Sequence, residues 1–445
     1  MKLQNKIPFS LFCLIALVAS FSMASCEDEP DKYEVADGLP TVRYIRSPYA
    51  VSADSLITEA STGTTICLVG ENLRSIYELY FNDVQAILNS SYMTDNTVIV
   101  DVPQSIPTEV SNKMYMVTRN GETVEYDFSV TVPAPTLTTM SCEYAPAGSE
   151  VTITGNYFVD DPNVPLSVVF PGDIEVTEFT NISQSSISFI MPECTEEGAI
   201  DVTTIYGTTT SAFHYLDTRG MLFDFDGMTG LGNHGWHDRT ITSDETSITG
   251  NFVQLGDGNT TLDAAGGWND SQFAFEYWPG SWNTPTDYPE GEGIRLYDLA
   301  DFSDYTNMSI KFEMYIPSSN PWSSGAMQVI FAGTDLVTYG NGGTDIYGNA
   351  IAGPNNTYFQ NDELPRALYR PWTTTGSYHT DDQWVTVSLP ISSNFIYGFN
   401  GGTATGTLSA DDFASLVIFV TGGGVEGTEC TPLIKIDNIR AVPNR

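Results

Sequence analysis

Alternating apolar and polar positions dominate the chain after its first 40 residues. In "MSIKFEMYIP", apolar residues stand at every second position from Met308 to Ile316, and "WVTVSLPI" alternates in the same way. This two-residue period predicts half-buried β-strands. The unbroken apolar run "LVIFVTGGG" predicts a strand buried on both faces. No comparable amphipathic helix pattern follows the N-terminal segment, so we predict an all-β fold.

An internal repeat occupies the first half of the chain. "TTICLVGENL" resembles "SEVTITGNYF" with Gly70 against Gly155, and "LYFND" resembles "VVFPG" with Phe81 against Phe170. The period of about 85 to 89 residues is the size of a small immunoglobulin-like sandwich. We therefore predict two tandem sandwiches over 41–133 and 134–217, joined by the stiff, proline-containing "VTVPAPT".

The N-terminus has the features of an export signal. Two lysines precede an apolar run that is short for a membrane span, and small residues follow it. The ending Met23-Ala24-Ser25-Cys26 resembles a bacterial lipobox, which implies a signal peptide over 1–25 and a lipid on Cys26; a chance cysteine is the alternative. Residues 26–40 form an acidic tether that resembles the surface-export tag of outer-membrane lipoproteins.

Charge and cysteine content narrow the classes of ligand and site. With 17 basic and 56 acidic residues the formal net charge is −39, which opposes nucleic acid, anionic lipid and polyanionic sugars as partners. A neutral ligand fits best. No Cys or His spacing indicates zinc; Cys67 is expected to be a buried small hydrophobe, and pairing of Cys142 with Cys194 stays open.

All seven tryptophans fall in the region 218–445, for which we predict a larger β-sandwich of the jelly-roll type. An exposed indole can pack on the apolar face of a glucose-like ring. Trp236 and Trp268 lie in glycine-rich loops and are the strongest candidates, with Asn269 and Asp270 placed to contact sugar hydroxyls. Weaker candidates, all near prolines, are Trp278, Trp282 and Trp322. Trp372 and Trp384 are expected to be framework.

Two family resemblances extend this interpretation. "APAGSEVTITGNYF" with "VVFPG" resembles the IPT/TIG immunoglobulin-like domain. The complete arrangement resembles the surface glycan-binding proteins of starch-utilisation-like systems, and is closest to the B-type proteins that bind β-glucans such as xyloglucan. The resemblance implies a non-catalytic outer-membrane lipoprotein whose C-terminal domain alone binds glycan, with Trp236 and Trp268 in the platform and a transporter complex as a further partner.

The resemblance requires no cofactor. Similar carbohydrate-binding modules hold a structural calcium ion between their first and last strands, where this chain has Asp224, Asp226 and Asp437; solvated carboxylates are the alternative.

Two other functions compete with glycan capture. A jelly-roll glycoside hydrolase needs two paired carboxylates, but no strand pattern of 218–445 carries the E-x-D-x-x-E motif, and the GxSxG and HExxH motifs are absent from the sequence. An adhesin that recognises another protein would use the same stalk, and the sequence alone does not exclude it.

Overall fold

Strands make up nearly all the regular structure of the computed structural model, which describes residues 38–444 except 53, 236, 238, 240, 280–293 and 334–361. The all-β prediction is confirmed. The chain divides into two compact units between Val132 and Pro133. The predicted boundaries at 133/134 and 217/218 stay predictions, and the two units are described separately below.

The first unit is a small antiparallel sandwich. Its sheets have the strand orders β1-β3-β6 and β5-β4-β7-β8, with a parallel pair β2-β9. Phe81 meets Phe128 edge to face at 5.6 Å in its core, and Cys67 is buried there as expected. The strands are β1 (Thr41–Arg46), β2 (Glu59–Ser61), β3 (Thr65–Glu71), β4 (Ile76–Phe81), β5 (Val84–Gln85), β6 (Thr97–Asp101), β7 (Lys113–Thr118), β8 (Thr123–Asp127) and β9 (Ser129–Thr131).

The second unit begins with another small sandwich. Its sheets have the orders β10-β11-β15-β14 and β13-β12-β16-β17. Cys142 and Cys194 are both unpaired, so the disulfide that the sequence left open is absent. The strands are β10 (Thr136–Met140), β11 (Glu150–Asn156), β12 (Ser167–Phe170), β13 (Ile174–Glu175), β14 (Phe179–Ile182), β15 (Ser186–Ile190), β16 (Gly198–Thr204) and β17 (Gly207–Tyr215).

The repeated glycines have one physical cause in both small sandwiches. A Cβ on Gly70 would lie 1.8 Å from the carbonyl oxygen of Thr41, and a Cβ on Gly155 would lie 1.8 Å from that of Thr136. In each case the first strand of the sandwich shifts register beside this glycine. Only glycine permits such a close approach of backbone to backbone.

A larger two-sheet sandwich completes the second unit. One sheet has the order β19-β20-β27-β22-β25, with β18 also paired to β27, and the other has the order β21-β26-β23-β24. The strands are β18 (Met221–Phe223), β19 (Ile241–Thr242), β20 (Phe252–Leu255), β21 (Ala274–Tyr277), β22 (Met308–Tyr315), β23 (Ala326–Ala332), β24 (Arg366–Tyr369), β25 (Val385–Pro390), β26 (Ser415–Thr421) and β27 (Ile434–Pro443).

The described helices are short. Two are α-helical, α1 (Asp270–Phe273) and α2 (Ile391–Asn394); the 3-10 turns are Ala50–Ser52, Leu73–Ser75, Ser90–Tyr92, Leu296–Asp298, Tyr305–Asn307, Pro371–Thr373 and Ala410–Asp412. Within these described ranges, the helices lack the length and the apolar character that a membrane crossing needs.

A buried ion cluster joins the two sandwiches of the second unit. Arg440 Nη2 lies 2.7 Å from Glu143 Oε2, and Arg440 Nη1 lies 2.7 Å from Glu313 Oε2. Lys311 Nζ lies 2.5 Å from Glu143 Oε1. Burial alone would lower the pKa of Arg440, but the carboxylates of Glu313 and Glu143 outweigh it and hold that pKa well above its usual value. Arg440 is therefore protonated, whereas burial raises the pKa of Glu313 in spite of the neighbouring guanidinium.

This cluster changes the expectation for β22. Its alternation predicted one exposed face, but Glu313 is fully buried and every other residue of the strand is buried or nearly so. The expectation is wrong because the small sandwich of 134–217 covers the polar face, where Lys311 and Glu313 find charged partners.

Candidate functional site

Three tryptophans are part of the core of the large sandwich. Trp322 is completely buried and its indole N–H donates to the carbonyl of Ser324 at 2.5 Å. Trp278 is 3% exposed. The prediction that these two rings face ligand is wrong, because the sandwich closes over both of them. Trp372 is buried and donates to the carbonyl of Gly325 at 2.8 Å, which confirms its framework role.

Two further predicted platform residues, Trp236 and Trp282, lie outside the described residues. Neighbours of Trp236 are described. The ring Nδ1 of His234 lies 2.5 Å from the carbonyl of Trp278, and the Arg239 guanidinium donates to the carbonyls of Asp270, Ser271 and Ala274 at 2.6 to 2.8 Å. Arg239 is thus hydrogen-bonded to the start of β21 and to the start of α1.

Trp268 is half-buried. One side of its ring meets the edge of Phe419 at 4.6 Å, with an interplanar angle of 87°. Phe399 lies 6.4 Å away at 45°. Trp268 packs against the core and keeps part of its surface accessible, so it is both anchored and available for contact.

The glycines before Trp268 explain why a large ring stands in a turn. Gly266 has φ 68°, and a Cβ there would lie 2.6 Å from the Cα of Gly325. Its carbonyl accepts from Gly422 N at 2.8 Å and from the Thr421 hydroxyl at 2.9 Å. The turn packs backbone against backbone, and this contact sets the position of Trp268 at the end of β26.

Asn269 and Asp270 stand beside Trp268 at the start of α1. The Asn269 carbonyl accepts from Phe273 N at 2.9 Å, while its side-chain oxygen accepts from the Ser271 hydroxyl at 2.9 Å. Asp270 Oδ1 lies 3.5 Å from His237 Nε2. Both residues are partly exposed. The two residues follow Trp268 in the chain, and some of their hydrogen-bonding capacity is used locally.

Phe399 is a candidate contact that the sequence analysis did not single out. It is partly exposed and its ring centroid lies 5.8 Å from the Arg366 guanidinium. Arg366 is fully buried and donates to Gln328 Oε1 at 3.0 Å, and Gln328 donates to the carbonyl of Thr421 at 2.9 Å. These contacts hold Arg366 and Gln328 in place beside Phe399. The available signal was "GFNGG", an aromatic in a glycine turn like Trp268, but only tryptophans were considered.

The predicted calcium ligands are not assembled by the structure. Their strands do meet, since Met221 of β18 pairs with Arg440 of β27. Asp226 accepts from Asn251 N and Nδ2 at 2.8 Å, and Asp437 from the Thr249 hydroxyl at 2.8 Å. Among the described residues, these two and Asp224 do not form a group with ligand oxygens within 4.8 Å of one another. Calcium binding there stays a prediction.

Another set of potential metal ligands does meet that spacing. Atoms of Glu197, His214 and Asp217 lie within 4.8 Å of one another. Asp217 holds Arg219 through Nε and Nη2 at 2.8 Å, and Glu197 accepts from Thr218. Burial raises the pKa of Asp217, but the Arg219 guanidinium outweighs it and leaves the pKa below its usual value. The arginine already supplies the positive charge of this group.

Comparison with known proteins gives three concordant findings. The family model described as the surface glycan-binding protein B xyloglucan binding domain matches residues 215–443. The crystal structure of the surface glycan-binding protein PbSGBP-B from Prevotella bryantii is 48% identical, covers 92% of this chain and 100% of that chain, and superimposes with a TM-score of 0.83. An IPT/TIG domain-containing protein of Bacteroides ovatus is 31% identical over 183 residues, which is 38% of this chain and 36% of that relative. The match thus spans about a third of the relative's length.

Proposed function

This chain belongs to the surface glycan-binding protein B family, and on that premise we propose that it captures a neutral β-glucan, such as xyloglucan or mixed-linkage glucan, without cleaving it. The observation that carries the proposal is the match of the xyloglucan-binding family model to 215–443. This region contains the partly exposed Trp268 and Phe399, which lie side by side.

The aromatic pair suits a sugar with mostly equatorial hydroxyls. Stacking that buries roughly 60 Å² of apolar surface on one ring contributes about 1.5 kcal/mol. Two such stacks with hydrogen bonds, less the cost of association, correspond to affinities between roughly micromolar and millimolar. Weak contacts of this strength are sufficient for capturing a polymer that offers many equivalent units.

The charge of the chain supports a neutral ligand. At a formal net charge of −39, an anionic polysaccharide would be repelled. A neutral glycan releases no counterions on binding, so its affinity is expected to change little with salt.

The decisive experiment is binding to purified polysaccharides by affinity electrophoresis and calorimetry. Xyloglucan and mixed-linkage β-glucan should retain the protein, while starch and polygalacturonate serve as the α-linked and the anionic controls. A parallel reducing-sugar assay should show no cleavage. Binding that falls steeply with salt, or release of reducing ends, would overturn the proposal.

One observation favours a second role, protein recognition, for the first unit. Large apolar side chains are strongly exposed there, with Val51 at 99%, Ile87 at 91% and Leu56 at 72%. A contiguous exposed apolar patch marks an interaction surface, and these side chains are the ones that such a patch on the first unit would use. A protein partner such as a transporter complex would use this unit. A pull-down with residues 38–132 from a membrane extract tests it, with Val51→Ser and Ile87→Ser as the variants expected to lose the partner.

Anchoring at the cell surface is the last part of the proposal. Cys26 precedes the described residues and is proposed to carry the lipid. Cys26→Ala should leave the signal uncut by the lipoprotein peptidase and move the protein out of the outer-membrane fraction, since the lipid is the membrane-binding feature of the mature chain. Unchanged fractionation would contradict a lipid anchor and leave the glycan-binding proposal untouched.

A further inference from the structure

A second cleft lies at the junction of the two sandwiches in the second unit. Its volume is about 580 Å³, within the range of about 300 to 1,000 Å³ that is typical of small-ligand pockets. The small sandwich contributes one wall from 141–152, and two loops of the large sandwich, 245–248 and 380–385, contribute the other. The cleft does not include Trp268 or Phe399.

Trp384 is the aromatic residue of this cleft. Its indole N–H donates to the carbonyl of Thr246 at 2.5 Å, and its ring packs near Phe252 at 6.0 Å and Tyr315 at 5.7 Å. These contacts confirm the framework role predicted for it. The ring is nevertheless only partly buried and also lines the cleft. It therefore presents a fixed aromatic surface to any ligand there.

The described walls beside Trp384 combine apolar side chains with hydrogen-bonding and acidic groups. Hydroxyl and amide groups come from Ser141, Thr152 and Gln383. The carboxylates that line the cleft are Glu150, Glu245, Asp381 and Asp382, and the lining residues that the structure describes include no lysine or arginine. Asp381 faces His379, at 3.1 Å between Oδ1 and Nδ1, and Asp382 accepts from the Ser318 backbone and hydroxyl. An anionic ligand would be repelled, whereas sugar hydroxyls can donate to such acceptors.

The two walls are fixed relative to each other. Thr386 N donates to the carbonyl of Ser141 at 2.9 Å, and its hydroxyl accepts from Glu143 N at 2.7 Å. The ion pair of Glu143 with Arg440 lies directly beyond. A cleft with rigid walls loses little entropy when a ligand enters.

We propose that the junction cleft binds one ring of a neutral glycan against Trp384, as a carbohydrate contact separate from Trp268 and Phe399. The inference takes its class of ligand, a neutral glycan, from the proposed function. The position of the site is argued from the cleft alone. An indole between hydroxyl, amide and carboxylate groups matches the two requirements of a pyranose, an apolar face and a polar rim.

The test uses the mature chain labelled with 5-fluorotryptophan, observed by ¹⁹F NMR while cellotetraose or a xyloglucan oligosaccharide is added. Trp384→Phe identifies the Trp384 resonance. That resonance should shift and saturate at roughly millimolar ligand. In the double variant Glu245→Ala with Gln383→Ala, the shift should weaken at least about threefold, or about 0.7 kcal/mol. Glu193→Ala, an exposed glutamate away from the cleft, should leave it unchanged.

The outcomes separate this inference from the proposed function. A static Trp384 resonance, while another tryptophan resonance shifts, would overturn the cleft and keep glycan binding. A shift that the double variant leaves unchanged would also overturn the cleft, since it would then report binding elsewhere. A Trp384 resonance that shifts with calcium but not with sugar would overturn the glycan proposal, since the cleft would then bind a cation. If no tryptophan resonance moves and no polysaccharide retains the protein, the proposed function itself fails.

Discussion

At the scale of single residues, Trp268 has two roles that a substitution would disturb together. Trp268→Ala should weaken β-glucan binding by roughly 1 to 3 kcal/mol through the lost stack. Because the ring also packs on Phe419, the variant should lose roughly 1 to 3 kcal/mol of folding free energy, less than a fully buried tryptophan would. Calorimetric titration and urea unfolding measure the two quantities.

Phe399→Ala is the cleaner test of the same surface, with a similar loss of affinity expected. Trp322→Phe serves as its control, since Trp322 is completely buried and the change should lower stability while binding persists. Wild-type affinity in both Phe399→Ala and Trp268→Ala would place the glycan elsewhere.

The sequence identified Trp268 because glycines beside a large ring indicate a turn, and turns lie at surfaces. The corresponding argument from neighbouring prolines failed for Trp278 and Trp322, which are buried. Whether a loop covers its own ring depends on contacts distant in sequence, such as that between Trp322 and Tyr378. Phe399 could have been found by treating all aromatics alike.

Asp437 provides a pH-dependent prediction. Burial, with the carboxylates of Glu313 and Asp226 nearby, raises its pKa to about 8. The folded state then keeps a proton that the unfolded state releases near pH 4. Its contribution to stability is complete below that pH and is lost as pH rises towards 8, by at most about 1.4 kcal/mol per pH unit. Urea unfolding of wild type and Asp437→Asn from pH 4.5 to 8.5 measures this; parallel curves would contradict the raised pKa.

At the scale of elements, the turn before Trp268 depends on the close packing of Gly266 against Gly325 and Gly422. Gly266→Ala would place a Cβ 2.6 Å from the Cα of Gly325, at φ 68°. We expect a loss of roughly 1 to 3 kcal/mol in stability and weaker glycan binding, because the turn must move and Trp268 with it. Gly376→Ala is the matched control: its φ is 84° but nothing lies within 4 Å of the added Cβ. Equal losses in the two variants would show that backbone strain alone is responsible.

Strand patterns predicted the elements well but not their surroundings. The run "LVIFVT" is indeed buried at every position of β26. The alternation in β22 also marked a strand, yet its polar face is covered rather than solvated. Lys311 and Glu313 resemble surface residues in sequence, and their partners Glu143 and Arg440 come from elements far along the chain. Local periodicity carries no information about such partners.

At the scale of the whole molecule, the second unit contains both the small and the large sandwich, which the sequence analysis separated at 217/218. The repeat and the composition change indicated separate sandwiches, and nothing local marked the charge cluster between them. Arg440 and Glu313 are fully buried, and Glu143 of the small sandwich lies 2.7 Å from Arg440. The smallest stable fragment that binds glycan is therefore expected to start at Pro133.

Fragments test this expectation directly. Residues 133–445 should bind β-glucan as the mature chain does, because they hold both tryptophan surfaces and the intact junction. Residues 218–445 should be less stable, since the fragment lacks the Glu143 partner of Arg440 and Lys311 and exposes to water the face of β22 that the small sandwich covers. Glu143→Gln within 133–445 keeps Arg440 buried with one carboxylate fewer, so urea unfolding should show a loss of roughly 3 to 5 kcal/mol. Glu193→Gln, at an exposed position, should cost almost nothing. Equal stability of both fragments would mean that the buried charges only offset their own desolvation, and that the large sandwich is independent of its neighbour.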